Sequence, residues 1–417
     1  MRVLMLSWEY PPVVVGGLGR HVHALAKHLH AQGHEVTVLC RHPAGTDAST
    51  HPETDHRVNG VRVIRVAEDP PHLQFERDLV AWTLGMGHAM IRAGLRLVDR
   101  WQADVVHAHD WLVTHPAITI AERAHVPLVA TMHATEAGRH AGWLSHPLNQ
   151  QVHSVEWWLA NRADKLITCS SAMRTEAAQL FDLDPQPISV IHNGIEPRSW
   201  RVSPARVSAA RERHAQRDGA LLLFFGRLEY EKGTHDLLAA LPRIRRTHPG
   251  TRLVVAGEGR QLQPLVEQAR KLRIRRAVDF VGHLSDRELV AALAAADVTV
   301  LPSRYEPFGI VALEAAAAGA PLVASTAGGL GEVVVDGVTG VSFSPGDSDG
   351  IAAAVRRVLD DPEAAARRAK TARGRLRTEF DWSTIAEATA AAYRQATAGG
   401  PQQLGRPKIA TGNAFGP

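Results

Sequence analysis

Residues 298–325 read VTVLPSRYEPFGIVALEAAAAGAPLVAS, and this stretch decides the fold. Val298–Leu301 and Leu322–Ser325 are short, unbroken apolar runs, the pattern of strands covered on both faces. The segment between them is long enough for a helix. A strand, a helix and a second strand in this order form a crossover unit, which makes the two strands parallel.

The same alternation extends outward in both directions. Leu221–Phe225, Arg252–Ala256 and Val278–Val281 read as strands with helical segments between them. Upstream of the polar, charge-rich stretch Arg201–Gly219 the strands are Val3–Ser7, Glu35–Cys40, Val61–Val66, Asp104–Ala108, Leu128–Met132, Lys165–Cys169 and Ile188–His192. Helical patterns fall at Leu18–Ala31, Arg77–Val98 and Pro147–Asn161. The restart after residue 200 divides the chain into two Rossmann-like α/β units, 1–200 and 201–381. Residues 382–397 carry a further helical pattern that could dock back on the first unit, and the Gly- and Pro-rich tail 398–417 is expected to be disordered. Open parallel sheets bind ligands at the C-terminal ends of their strands. Two such units facing each other enclose a cleft, and the chemistry belongs there.

Composition narrows the function. Each unit of a 417-residue chain is large enough to bury its own core. The two cysteines, Cys40 and Cys169, sit in apolar runs and read as core residues of a reducing compartment. No run of about 18 apolar residues occurs, so no membrane span is expected, and the N-terminal VLML is too short for a signal-peptide core. The expected location is the cytoplasm. The formal charge is +4. Basic clusters at 243–246 and 270–276 read as solvated helix ends, because no aromatic residues interleave with them as a nucleic-acid surface would require.

Three loops carry candidate chemistry. Gly16-Gly17-Leu18-Gly19 opens the first helix, where backbone N–H groups can approach an anion; it reads equally as a tight turn. Arg227 and Lys232 lie in FGRLEYEKG, directly after a strand, and offer positive charge for a diphosphate; Glu229 and Glu231 could merely balance them. In the third loop, Pro307 is placed to begin a helix, with Glu306 at its N-terminus and Glu314 roughly 12 Å further along the axis. Glu314 sits in an otherwise buried-looking segment, so it needs a partner such as a ligand hydroxyl.

Together GGLG, the Arg227…Lys232 pair, Gly257-Glu258-Gly259 and the Glu306-x7-Glu314 motif resemble the retaining glycosyltransferases of the GT-B fold. Within that fold the chain is similar to the GT4 family, and to its actinobacterial α-1,4-glucosyltransferases related to glycogen synthase. SWEYPPVVVGGLGRHV, HAHDWLVTHPA and HATEAGRHAGW carry this finer likeness. The resemblance implies a donor, UDP-glucose or ADP-glucose, and an acceptor that is an α-glucan, a methylglucose chain or glucose 1-phosphate. Arg227 and Lys232 would neutralise the diphosphate with help from Gly17, and Glu306 would contact the transferred sugar. Glu314 would take the ribose, while Phe308 and Gly309 line the donor. Gly257, His283 and Leu284 would frame the base. His133 would sit by the reacting sugar face, Asp110 on the acceptor side, and Asn193 near the hinge.

The implied mechanism is retaining, with no metal and no cofactor; no Asp-x-Asp cluster stands in an active-site position. Trp143, in the Gly- and His-rich loop Ala137–His146, is the candidate aromatic platform for acceptor sugars. Three rival functions remain at this level. They are a mannosyltransferase acting on a lipid, a nucleotide-sugar epimerase of the same architecture using Asp110 and His133, and a catalytically silent glucan-binding protein.

Overall fold

The computed structural model describes residues 1–14, 16–42, 53–67, 72–75, 77–215 and 219–399. Most of the tail expected to be disordered lies outside them. Eight strands form the first sheet: β1 (Arg2–Leu6), β2 (Glu35–Arg41), β3 (Thr54–Val58), β4 (Val61–Val66), β5 (Val105–His109), β6 (Leu128–Met132), β7 (Lys165–Thr168) and β8 (Ser189–Val190). Their order is β3-β4-β2-β1-β5-β6-β7-β8, parallel throughout except for the antiparallel β3–β4 pair. The second sheet contains β9 (Leu221–Phe225), β10 (Arg252–Ala256), β11 (Val278–Gly282), β12 (Val298–Leu301), β13 (Leu322–Ser325) and β14 (Val341–Phe343). Its order, β11-β10-β9-β12-β13-β14, is fully parallel.

In both sheets the strand order reverses beside the first strand, at β1–β5 and β9–β12. That switch point is where crossover helices pass to opposite faces and leave a crevice at the strand ends. Helices cover both faces, so strand side chains are buried whichever way they point; all five residues of β9, Leu221–Phe225, are. One apolar cluster continues from the first unit (Leu6, Met132, Phe181) into the second (Phe225, Phe308, Leu313).

The expected helix start at Pro307 is corrected. Gly309 adopts φ 103°, a left-handed conformation that a helix cannot contain, and the helix begins at Ile310 and runs to Ala318. Residues 303–309 are therefore a loop. The basic clusters fall at helix ends: Arg245 and Arg246 in the last turn of Thr234–Thr247, and Arg270 and Lys271 in that of Leu262–Lys271. There positive charge complements the negative end of the helix dipole.

The last helix, Trp382–Ala398, leaves the second unit and packs on the first. Trp382, Ile385, Ala390 and Tyr393 share a core with Val3, Met5, Val22 and Leu25. The chain re-enters beside its own exit, where Ile195 N–H donates to the Phe380 carbonyl at 2.9 Å. Tyr393 is fully buried, and its hydroxyl lies 2.7 Å from His107 Nδ1. Removing that hydroxyl strands a buried imidazole nitrogen, so Tyr393→Phe should lower unfolding free energy by about 1–3 kcal/mol. Urea titrations of variant and parent, compared at their midpoints, measure the loss.

Candidate active site

The helix that follows the loop after β12 meets the start of the first helix, Gly17–Ala31. A Cβ built on Gly17 would stand 2.9 Å from Ile310 Cδ1, so two helix N-termini from different units approach closely here. The first turn of the first helix contains no acidic residue that would compete for its N–H groups. Gly16 N–H is held by Glu9 Oε2 at 3.0 Å.

Lys232 and Glu306 lie at the centre. Lys232 Nζ donates to Glu306 Oε2 at 2.8 Å, and Ser303 Oγ reaches the same oxygen at 3.3 Å. Arg304 fixes the loop further, donating from Nε and Nη2 to the two oxygens of Asp236 at 2.7 and 2.8 Å. Gly233, with φ 67°, lets the Lys232 loop pass against the Pro302 carbonyl, only 1.9 Å from where a Cβ would be. Arg227 is about half exposed, and its Nη2 reaches Glu231 Oε1 at 3.3 Å. The balancing acid considered from sequence is thus present, a mostly buried Glu231 beneath a half-exposed Arg227.

Glu314 is buried on the helix behind this loop, and its partner is Arg20, whose Nη1 lies 3.4 Å from Oε1. Burial pushes the Glu314 carboxyl up to about 7, against the pull of Arg20 and with a smaller push from Asp286. Arg20 is a residue that sequence reading passed over: it directly follows GGLG, but its partner is 294 residues away. Phe308 points into the core, 2 % exposed, against the rings of His192 and Phe380. Its side chain is buried and does not line an open site.

Gly257, at the exit of β10, has φ 143° and passes within 1.9 Å (Cβ position) of the Gly226 carbonyl. Gly257 N–H donates to the Gly282 carbonyl at 2.8 Å, which brings the exits of β9, β10 and β11 together. His283 is exposed and Leu284 half-buried, just ahead of the capping box formed by Ser285 and Glu288.

On the facing unit, Asp110 and His133 follow β5 and β6. His133 N–H donates to Asp110 Oδ1 at 2.7 Å. Asp110 holds φ 63°, a strained conformation for a non-glycine residue, and burial raises its carboxyl to about 6. Burial lowers His133 to about 4 and keeps it neutral. His21 and His109 pack against its ring, with centroids at 4.7 and 5.6 Å. Glu156, also passed over in the sequence, accepts Glu136 N–H at 2.8 Å and is pushed by burial to about 9. Asn193 is buried, with its side chain beside His21. Trp143 stands 73 % exposed and makes no ring contact among the described residues, so the structure does not draw it into this cluster.

A latch closes the cleft on the hinge side. Tyr305, inside the Ser303–Glu314 segment, donates its hydroxyl to Glu176 Oε1 at 2.9 Å and accepts Thr135 N–H at 3.2 Å. Ser170 Oγ donates to the Pro307 carbonyl at 2.6 Å. Glu332 accepts N–H groups of Ser171 and Ala172 at 3.1 and 2.9 Å, placing its charge on the N-terminus of the helix Ser171–Phe181. A depression of about 880 Å³ also exists, but among Ala220, Asp297 and Pro321 at the opposite ends of the second sheet's strands, away from these loops.

Two sheets with their strand-end loops apposed across a cleft are the GT-B architecture of glycosyltransferases. The model of Glycosyltransferase Family 4 matches residues 15–199, and that of Glycosyl transferases group 1 matches residues 208–375. The chain belongs to the glycosyltransferases that join these two halves. It is 60% identical over 405 residues to the glycogen synthase of Mycobacterium tuberculosis, covering 96% of each chain. It is 33% identical over 416 residues to the alpha-maltose-1-phosphate synthase of the same organism, covering 95% of this chain and 100% of the relative. Sucrose-phosphate synthase from Thermosynechococcus elongatus shares the fold with a TM-score of 0.80 at 24% identity, over 95% of this chain and 99% of that one. Among the described residues no helix is long and apolar enough to cross a membrane.

The raised Glu314 carboxyl has a thermodynamic consequence. The native state holds a proton that the unfolded chain releases nearer pH 4.5, so this group's contribution to stability falls as pH rises from about 4.5 to about 7. Glu314→Gln should remove that slope, gaining on the order of 3 kcal/mol over the parent at pH 8 and little at pH 4. Denaturant unfolding of both proteins at the two pH values provides the comparison.

Proposed function

We propose that this protein transfers glucose from UDP-glucose or ADP-glucose to an α-1,4-glucan, or to a related α-glucoside acceptor, with retention of configuration. The observation that carries this reading is the meeting of Lys232, Glu306 and the first helix N-terminus at one cleft, in a chain 60% identical to a glycogen synthase.

The chemistry follows from charge. As the glycosidic bond to the nucleotide breaks, negative charge grows on the departing diphosphate. Lys232, Arg227 and the N–H groups at Gly17 would meet it, and fixed donors act without reorganising. Glu306 holds the Lys232 ammonium at this cleft, which supports that role. A diphosphate carries more charge than one carboxylate, so Lys232 would turn to it and leave Glu306 facing the transferred sugar. Glu314, near neutrality in its titration, can both accept from and donate to ribose hydroxyls. Backbone at Gly309, Gly257, His283 and Leu284 would border the nucleotide.

On the facing side, a neutral His133 offers a sugar hydroxyl a hydrogen bond without setting positive charge beside an oxocarbenium-like transition state. Asp110 pins the His133 backbone. Asn193 would border the acceptor beside His21, and the exposed indole of Trp143 suits the flat face of an acceptor ring. Likeness to an alpha-maltose-1-phosphate synthase favours glucose 1-phosphate as a second acceptor to test.

Two measurements decide. Nucleotide release is followed with UDP-glucose, ADP-glucose and GDP-mannose, each with maltooligosaccharides or glucose 1-phosphate, with and without EDTA. Acceptor-dependent release from a glucose donor, insensitive to EDTA, is expected; release from GDP-mannose alone, or donor isomerisation without acceptor, would replace the reading. Lys232→Ala should lose on the order of 3 kcal/mol of transition-state stabilisation, about two decades in kcat. Near-normal turnover by a folded Lys232→Ala protein would mean that the diphosphate binds elsewhere.

A further inference from the structure

Three imidazoles meet below the cleft of the first unit. His21 comes from the second turn of the helix Gly17–Ala31, His109 ends β5, and His133 follows β6. One ring nitrogen of each lies within 4.8 Å of one from each of the others. His109 Nδ1 and His133 Nε2 are 3.3 Å apart. A tetrahedral zinc ion with bonds of about 2.0–2.1 Å spaces its ligand nitrogens by about 3.3 Å. One edge of the tetrahedron therefore already exists, and the His21 nitrogen lies within 4.8 Å of both its ends.

The hydrogen-bond pattern singles out the same residues. His107, packed against His109, has both nitrogens engaged, with Tyr393 and with Thr131, each at 2.7 Å. By contrast, His109 Nδ1 meets only His133 Nε2 and its Nε2 is buried without a partner among the described residues, while His21 lies beside the Asn193 side chain. A metal ion is one group that takes the lone pair of a buried imidazole nitrogen.

We propose that His21, His109 and His133 form a binding site for a borderline divalent cation of the Zn²⁺ type. An all-nitrogen set selects against Mg²⁺ and Ca²⁺, which require oxygen ligands. Three protein ligands leave a fourth position for water or substrate. A cation bound here occupies the nitrogen that His133 would offer to the sugar, so it acts as an inhibitor of transfer. That last consequence alone rests on the proposed role of His133; the binding does not.

The test uses the full chain, stripped of metal by chelator and titrated with Co²⁺. One Co²⁺ per chain is expected, with the strong visible absorption of a tetrahedral ion, abolished when Zn²⁺ is added. His21→Asn and His109→Gln should each weaken Co²⁺ binding by about tenfold or more. The fully buried His109 makes its variant the harder one to fold, and the His21 variant then carries the comparison. A titration without a saturable tetrahedral band, or a band unchanged in the variants, overturns the site and assigns any metal to other histidines. Turnover is measured separately with and without Zn²⁺. Binding as described but without inhibition would keep the site and remove His133 from sugar placement.

Discussion

The ion pair between Lys232 and Glu306 is the contact on which the rest of the cleft depends. It joins the loop after β9 to the loop after β12, the two strands flanking the switch point of the second sheet. Burying two charges costs several kcal/mol each unless geometry and extra hydrogen bonds compensate. Ser303 and the neighbouring Arg304–Asp236 bridge supply such compensation. Gly233 is what permits the approach, since any side chain there would collide with the Pro302 carbonyl. Sequence, backbone conformation and charge placement thus reinforce one another at a single point. A pair whose desolvation offsets much of its attraction is also one that a more highly charged ligand can exchange.

Much of this was legible in the sequence, and the reasons are specific. The buried parallel strands announce themselves as apolar runs, and the Ser303–Glu314 segment stands out because a carboxylate interrupts an apolar helix. β3 escaped notice because Thr54–Val58 is polar and mostly exposed. Its only signal was Asn59-Gly60, whose positive φ values of 50° and 86° make the tight turn into β4. β14 has three residues, too few for any periodicity. The misplaced helix start arose because proline at a first turn and glycine at a helix boundary compete, and here the glycine conformation decides.

Pairings across the cleft were illegible for a different reason. Arg20 with Glu314, Tyr305 with Glu176, and Glu332 with the helix at Ser171 join residues far apart in the chain and in different sheets. Each element alone looks like an ordinary surface or core residue. The histidines illustrate the same point, because nothing in their spacing says that residues 21, 109 and 133 converge. Only the parallel order β1-β5-β6, with the first helix alongside, brings them together.

The return of the last helix to the first unit constrains the order of assembly and the freedom of movement. Trp382 to Tyr393 complete a core begun by Val3 and Met5, so the N-terminal half cannot finish folding until the ribosome has released nearly the whole chain. The second unit is in effect an insertion, tethered by two adjacent crossings at Ile195 and Phe380–Asp381 that are bonded to each other. Two side-by-side tethers suppress free swivelling and leave a rocking motion about one axis. A single linker of the same length would have permitted the halves to drift apart.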